Sequence, residues 1–379
     1  MHIPSDLETP RLVLDAAKMQ RNIDRMQARM NELGVRFRPH AKTSKCADVV
    51  RRQLAAGARG ITVSTLKEAE QFATAGIDDI LYAVGIAPAK LDHALRLARD
   101  GVHLTLLVDS VAGAAAVARH GALHGHRHDV MIEIDTDGHR SGVRPDDPQL
   151  TAIADALRAD ERGGALLAGV MTHAGSSYAL HTTGALEAMA EQERAGCVGA
   201  ASRLREAGHA CAIVSVGSTP TALSARSLDG VTEVRAGVYV FFDLVMMNVG
   251  VCTRDEIALS VLCSVIGHRD DAGLVITDAG WMAMSRDRGT QKQPHDYGYG
   301  AICDVDGKPI DALAFDEANQ EHGVLRFTGD DGVDIARRFP LGAPLRILPN
   351  HACATAAQFD RYTVLGDGEL REWPRFGGW

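Results

Sequence analysis

Between residues 35 and 241 the chain sets down eight short, apolar, β-branched runs with helix-patterned segments between them. The runs are VRFR (35–38), GITVST (60–65), DILYAV (79–84), LTLLVD (104–109), VMIEID (130–135), LLAGVMTH (166–173), AIVSVGS (212–218) and EVRAGVYVF (233–241). Segments such as AAKMQRNIDRMQARMNELG and TTGALEAMAEQERAGCVGAASRLREAG place apolar residues at i, i+3, i+4 and i+7, the mark of a helix with one buried face. Eight strands alternating with helices over about 240 residues predict a (β/α)8 barrel of the TIM type. A doubly wound open sheet is the competitor, and it is disfavoured by the strand count and by the lack of a G-x-G-x-x-G behind an early strand.

After about residue 250 the pattern changes. EIALSVLCSVIGHR, GLVITDAGWMAM, HGVLRFTG, PLRILPNHAC and RYTVLGDGEL are strand-like, split by Gly, Asp and Asn turns, with little helical periodicity. They predict a separate all-β domain. The LVLD run near the N-terminus is surplus to the eight barrel strands and is expected to pair with that domain. The expected division is therefore a barrel over residues 12–248 and a β domain built from 1–11 plus 249–379.

Composition narrows the function. A formal charge of −9, with no run of Lys and Arg longer than two or three, argues against a nucleic-acid partner, since phosphate binding needs a basic face. A small molecule is the expected partner. Seven scattered cysteines, odd in number and without C-x-x-C spacing, imply neither a disulfide framework nor a structural zinc knuckle, and fit a reducing compartment. MHIPSDLETP lacks the basic and apolar regions of a signal peptide, and no window reaches 18 apolar residues, so the cytoplasm is the expected location and no membrane partner is expected.

In barrels of this kind the chemistry gathers on loops behind the strand C-termini. Those positions carry Pro39, His40 and Lys42 behind the first strand, His139 and Arg140 behind the fifth, His173 and Tyr178 behind the sixth, VGSTPT (216–221) at the seventh, and Gly237 and Tyr239 on the eighth. In VGSTPT, Gly217 permits close backbone approach, Ser218 and Thr219 offer hydroxyls, and a helix starting there aims N–H groups outward, as phosphate sites do. A plain N-capped helix start explains the same residues. A lysine on one rim and a phosphate cradle across the mouth point to pyridoxal phosphate. Lys42 is the better anchor, and Lys45, further on, is expected to face solvent.

RPHAKTSK, IDTDGHRSGV, VSVGSTPT, EVRAGVYVFFD and PNHACAT, in this order over nearly the whole chain, resemble the D-threonine aldolase and D-serine dehydratase family of fold type III (alanine racemase-like) pyridoxal phosphate enzymes. The resemblance implies that Lys42 is the Schiff-base lysine and the base for the α-proton, and that Arg140 bonds the ring hydroxyl. It further implies that Gly217, Ser218, Thr219, Gly237 and Tyr239 hold the phosphate, that Tyr178 reaches the pyridine nitrogen and that His173 lines the ring. Relatives of this plan pair head to tail, so a homodimer with shared active sites is expected by analogy.

His351 and Cys353 stand two apart in RILPNHACAT, and in an extended strand both would point to one side and converge on an ion. The resemblance implies that a divalent ion binds at this motif. A thiolate favours Zn2+, whereas aldolase relatives carry aspartate at this place, which suits Mn2+ or Mg2+. The expected reaction is dehydration of a D-configured β-hydroxy amino acid, best D-threo-3-hydroxyaspartate to oxaloacetate and ammonia. The alternatives are retro-aldol cleavage of D-threonine, dehydration of D-serine, or a non-catalytic pyridoxal phosphate carrier. Arg286 and Arg288 would suit a second substrate carboxylate, and Glu321 and His322 are further candidates near the site, His322 for substrate.

Overall fold

The computed structural model describes residues 7–159, 163–330, 332–366 and 369–378, so residues 1–6 of the expected β-domain segment lie outside it. The chain forms two compact units, one of residues 24–237 and one joining residues up to 23 with 238–377. These divide the chain at 23/24 and 237/238, against the expected 11/12 and 248/249. The reason at the N-terminus is pairing: strand β1 (Arg11–Asp15) lies antiparallel to one strand of the β unit and parallel to another. The surplus LVLD run belongs to that sheet, as its place in the sequence implied.

The first unit carries β2 (Arg36–Phe37), β3 (Ile61–Val63), β4 (Asp79–Gly85), β5 (His103–Val108), β6 (His128–Ile134), β7 (Ala165–Thr172), β8 (Ile213–Val216) and β9 (Glu233–Val234). All pairings are parallel, in the order β2-β9-β8-β7-β6-β5-β4-β3. A parallel bridge between His40 and Thr62 joins the two ends and closes the ring. Each predicted strand is present, and the eighth is shorter than its sequence run because Val238–Val240 turns as a 3-10 helix. Several helices start at a capping hydroxyl: Thr65 accepts from the Glu68 N–H, Ser110 from Gly113 and Thr182 from Ala185. Leu81, Leu107, Met131 and Met171, one from each of four neighbouring strands, pack as a buried cluster. Full burial of such side chains contributes about 1.5–3 kcal/mol each, which is what sets the register of the parallel ladder.

The barrel unit also buries charge. The Arg235 guanidinium donates to Ser215 Oγ at 2.6 Å, and Ser215 donates to Glu233 Oε1 at 2.8 Å. The other Glu233 oxygen accepts from Arg38 Nε at 2.8 Å, and Arg38 reaches Asp79 on β4. Opposite charges and hydrogen bonds offset the desolvation that buried ions otherwise suffer.

The second unit contains β1 and β10 (Leu259–Arg269), β11 (Leu274–Thr277), β12 (Ala301–Cys303), β13 (Pro309–Ala318), β14 (Gly323–Phe327), β15 (Pro344–Leu348), β16 (Arg361–Gly366) and β17 (Glu369–Pro374). Their order is β11-β14-β13-β12-β15-β10-β1-β16-β17. Among the described residues of this sheet, only β1 and β16 run parallel. An irregularity between Val265 and Gly267 lets β10 leave β1 and pair with β11, which closes β10, β11, β14, β13, β12 and β15 into a ring of pairings. Two strands escape the sequence pattern. β12 is only three residues long, and β13 carries Asp311, Asp316 and Glu317 in a stretch that reads as a polar turn.

Candidate active site

The backbone behind β2 is held from both sides. His40 N donates to Ala236 O and Ala41 N to Thr62 O, each at 2.8 Å, so the turn bearing Lys42 is fixed between β3 and the segment that follows β9. Lys42 itself is exposed at this rim. Lys45 does not face solvent as expected: its φ is 44° and its ammonium lies 3.1 Å from Glu68, which is 2% exposed. The buried carboxylate, which also accepts from Ser64 N at 2.9 Å, draws the second lysine inward.

Around Lys42 the rim gathers imidazoles and cations. His40 is half-buried with Nε2 3.5 Å from Ser64 Oγ, and its shielded Nδ1 has no hydrogen-bond partner among the described residues. Burial first, then the charges of Lys42, Arg235 and His173, push its pKa well below the usual range. His173, at the end of β7, donates from Nδ1 to Gly217 O at 2.9 Å. Burial, joined by the charges of Arg140, Lys42 and Arg235, brings it down to about 3 against the pull of that carbonyl. His173 is therefore neutral, with its Nε2 lone pair available. Because its folded pKa of about 3 lies below the unfolded 6.5, the unfolded chain binds the extra proton between those values. Stability from this group is complete above pH 6.5 and is lost as the pH falls through the window. Urea melts of His173→Phe against the native chain should differ in acid slope below pH 6.5, with the variant losing less stability.

Arg140 is exposed on the loop behind β6, where Asp135 Oδ1 accepts from Gly138 N at 2.7 Å and shapes the turn. Its charge acts on His173 and on Glu133. Tyr178 sits half-buried in the 3-10 turn Gly175–Ala179, its ring 6.1 Å from that of His173. Gly217 has φ 132°, and a Cβ there would meet Arg235 O at 2.1 Å, so only glycine fits. Gly237 packs on Thr43 Oγ1, 2.9 Å from where a Cβ would stand. Ser218 caps Thr219–Ser224 in a reciprocal box with Thr221, at 3.2 and 3.0 Å, and its hydroxyl lies 2.9 Å from Ser177 Oγ. The capped helix start is thus the local role of Ser218. Thr219 is fully buried in the first turn, and Tyr239 is buried in the 3-10 turn that opens the second unit.

Sequence reasoning missed Glu193. From the buried stripe of the helix Thr183–Glu206, its Oε1 accepts from Ala174 N at 2.8 Å and from Gly217 N at 3.1 Å. One carboxylate thereby clamps the loops behind β7 and β8. A glutamate on an otherwise apolar helix face was the signal available.

In the β unit, His351 and Cys353 do not sit on an extended strand. β15 ends at Leu348, His351 is the extended N-cap residue of Ala352–Ala356, and Cys353 lies in that helix's first turn. The two side chains still meet, because the cap bend brings them together in place of strand alternation. Burial would lower the His351 pKa, but the nearby Cys353, Asp287 and Asp243 raise it well above the usual range. His351 Nδ1 lies 2.6 Å from Asp287 Oδ2. Asp243, fully buried, caps Leu244–Val249 through Met246 N and holds Ala352 N with its other oxygen, each at 2.9 Å. Thr355 Oγ1 donates to Met284 O at 2.8 Å, tying this helix to the segment that carries Asp287.

The neighbouring candidates differ in availability. Arg286 is exposed and stacks on Trp281 with its guanidinium 4.1 Å from the ring centre. Arg288 is engaged by Asp296 at 2.8 Å and by Gly298 O. Glu321 and His322 are exposed in the turn after β13, and that turn receives Trp281 N and Met282 N. No hydrogen bond or ion pair joins either residue to His351 or Cys353 among the described residues.

The residues fit the groups the motifs imply. A cationic rim with neutral imidazoles and an unsatisfied His40 Nδ1 suits an anionic phosphorylated ring. Imidazole and thiol side by side suit a borderline-soft divalent ion, with Asp287 on the far nitrogen of His351.

Two linked matches define the class. Residues 14–245 match the alanine racemase N-terminal domain family and residues 258–365 the putative serine dehydratase domain. The chain belongs to this alanine racemase-like family of pyridoxal phosphate-dependent fold type III lyases. It is 61% identical over 376 residues to the D-threo-3-hydroxyaspartate dehydratase of Delftia sp. strain HT23, covering 98% of each chain. It is 32% identical to an Arthrobacter D-threonine aldolase, over 97% of this chain and 91% of the relative. Among solved structures, a D-threo-3-hydroxyaspartate dehydratase C353A mutant in the metal-free form matches with a TM-score of 0.96 and 60% identity, over 99% of both chains. Among the described residues no helix is long and apolar enough to cross a membrane.

Proposed function

We propose that the chain dehydrates D-threo-3-hydroxyaspartate to oxaloacetate and ammonia, using pyridoxal phosphate and a divalent ion. The observation that carries this reading is the near full-length identity to a dehydratase of that substrate, with Lys42 at the barrel rim. When bound, pyridoxal phosphate supplies an electron sink that acidifies the α-carbon. Lys42 would anchor it through its ε-amine and, once released by the substrate amine, take the α-proton. Arg140 would bond the ring hydroxyl, and neutral His173 would line the ring beside Tyr178. Thr219, Gly217, Gly237 and Tyr239 would hold the phosphate, with Ser218 shaping the turn from its cap. His351 and Cys353 would hold the ion, whose chemistry is Lewis-acid polarisation of the β-hydroxyl, and the thiolate favours Zn2+ over Mn2+ or Mg2+. Arg286, less engaged than Arg288, is the better partner for the second substrate carboxylate. A homodimer in the cytoplasm, with sites shared between subunits, completes the proposal.

Asp287 would orient His351 by accepting from Nδ1, leaving Nε2 to the ion. Asp287→Ala should then weaken zinc binding about 10- to 100-fold in a competition titration against a chromogenic chelator. Unchanged affinity would remove Asp287 from the site.

The aldolase relative keeps retro-aldol cleavage as the second reading, since the same lysine and ion would serve it. Turnover of D-threo-3-hydroxyaspartate, D-serine and D-threonine, with and without chelator, separates the two. Ammonia plus oxaloacetate from the first substrate is expected to dominate. Faster release of glycine and an aldehyde would make the chain an aldolase.

A further inference from the structure

The barrel unit carries a histidine cluster that the proposed reaction does not use. His120 and His124 stand at i and i+4 in the last turns of the helix Val111–His124, and so share one face. Asp92 faces them from the first turn of the helix Leu91–Arg99. We propose that Asp92, His120 and His124 form a second divalent transition-metal site that clips together the helices following β4 and β5.

Geometry supports it first. One ligand atom from each residue lies within 4.8 Å of the other two. Asp92 Oδ1 is 3.0 Å from His120 Nε2 and 4.0 Å from His124 Nε2. A tetrahedral ion with bonds of about 2.0–2.1 Å sets its ligands about 3.3 Å apart, so small side-chain rotations seat the ion without backbone movement. The second observation is on the far side of the His120 ring. His120 Nδ1 lies 3.1 Å from Nε2 of His128, which is buried at the start of β6. That contact fixes the ring and turns His120 Nε2 toward Asp92, the outer support that metal-binding histidines use.

The donor set chooses the ion class. Two imidazoles and one carboxylate suit zinc, nickel, cobalt or copper, and suit calcium or magnesium poorly, because those prefer oxygen throughout. Arg96, whose charge acts on Asp92, and Arg99, which donates to His124 O at 3.3 Å, oppose an added cation and moderate the affinity. The exposed Asp92 leaves the remaining coordination to water. The role of the clip is cohesion between two helices, separate from turnover.

The test uses the full chain, stripped with a chelator and returned to zinc, with bound metal counted by elemental analysis after equilibrium dialysis. Four chains are compared: the native sequence, H120A/H124A, Asp92→Ala and His351→Ala. The native chain is expected to hold one more ion than H120A/H124A. Zinc should raise the melting temperature of the His351→Ala chain, and should raise that of the native chain more than that of H120A/H124A, which keeps only the ion at His351 and Cys353. Asp92→Ala, altered at an exposed side chain, should bind that ion at least tenfold more weakly, and it keeps the test intact if the double variant folds poorly. The H120A/H124A chain should turn over substrate at the native rate. An equal ion count in the native and H120A/H124A chains overturns the proposal, as does an Asp92→Ala chain with native zinc affinity.

Discussion

Replacing Lys42 by alanine is expected to abolish turnover, by about 10³-fold or more, and to strip the purified protein of the visible absorption of lysine-bound pyridoxal. Two functions are lost in one change: the covalent anchor, and the base for the α-proton, which alone contributes about 10²–10⁴-fold. The fold should survive, since the Lys42 side chain is exposed while the backbone around it is fixed by its bonds to Ala236 and Thr62. Lys45→Ala supplies the contrast. That change leaves the buried Glu68 without its cation, costs on the order of 3 kcal/mol, and should lower the melting temperature while keeping the cofactor absorption. A Lys45→Ala chain that lost the absorption while Lys42→Ala kept it would exchange the roles assigned to the two lysines.

The second large effect is expected at Cys353. Cys353→Ala removes one of two protein donors, so the ion held at His351 should be lost, one ion fewer per chain, and turnover should fall by about 10²- to 10³-fold, the several kcal/mol that Lewis-acid polarisation contributes. The absorption of bound pyridoxal should be unchanged, because the anchor is Lys42. Cys353→Asp is the finer test. A hard carboxylate in place of the thiolate should move the ion preference from zinc toward manganese, read as recovery of activity with added manganese. A Cys353→Ala enzyme with native turnover in the presence of a strong chelator would show that the reaction proceeds without the ion.

The barrel was legible because its eight strands are buried on both faces and read as near-continuous apolar runs, with an amphipathic helix beside each. Candidate residues at the strand ends could be given a place for the same reason, since a lysine or histidine directly behind such a run has a defined address. What escaped was polar burial. Glu193, Glu68 and Asp243 look like ordinary helix-surface or loop acids until the fold aims backbone N–H groups or a lysine at them. Lys45 was misjudged on that account, its partner being invisible at a separation of more than twenty residues. Asp287 stands between two arginines with nothing in the sequence to mark it, and its bond to His351 joins two distant segments of the β unit. The strand alternation expected to align His351 with Cys353 does not occur, because Pro349 and Asn350 end the strand before the motif begins and the two residues fall at a helix cap and first turn.

Reducing the holoenzyme with borohydride, digesting it and sequencing the peptides by mass spectrometry tests the covalent attachment directly. The predicted result is a single pyridoxyl-modified peptide with the added mass on Lys42. A modification on Lys45 or any other lysine, or none on a protein that is active and visibly coloured, would contradict it.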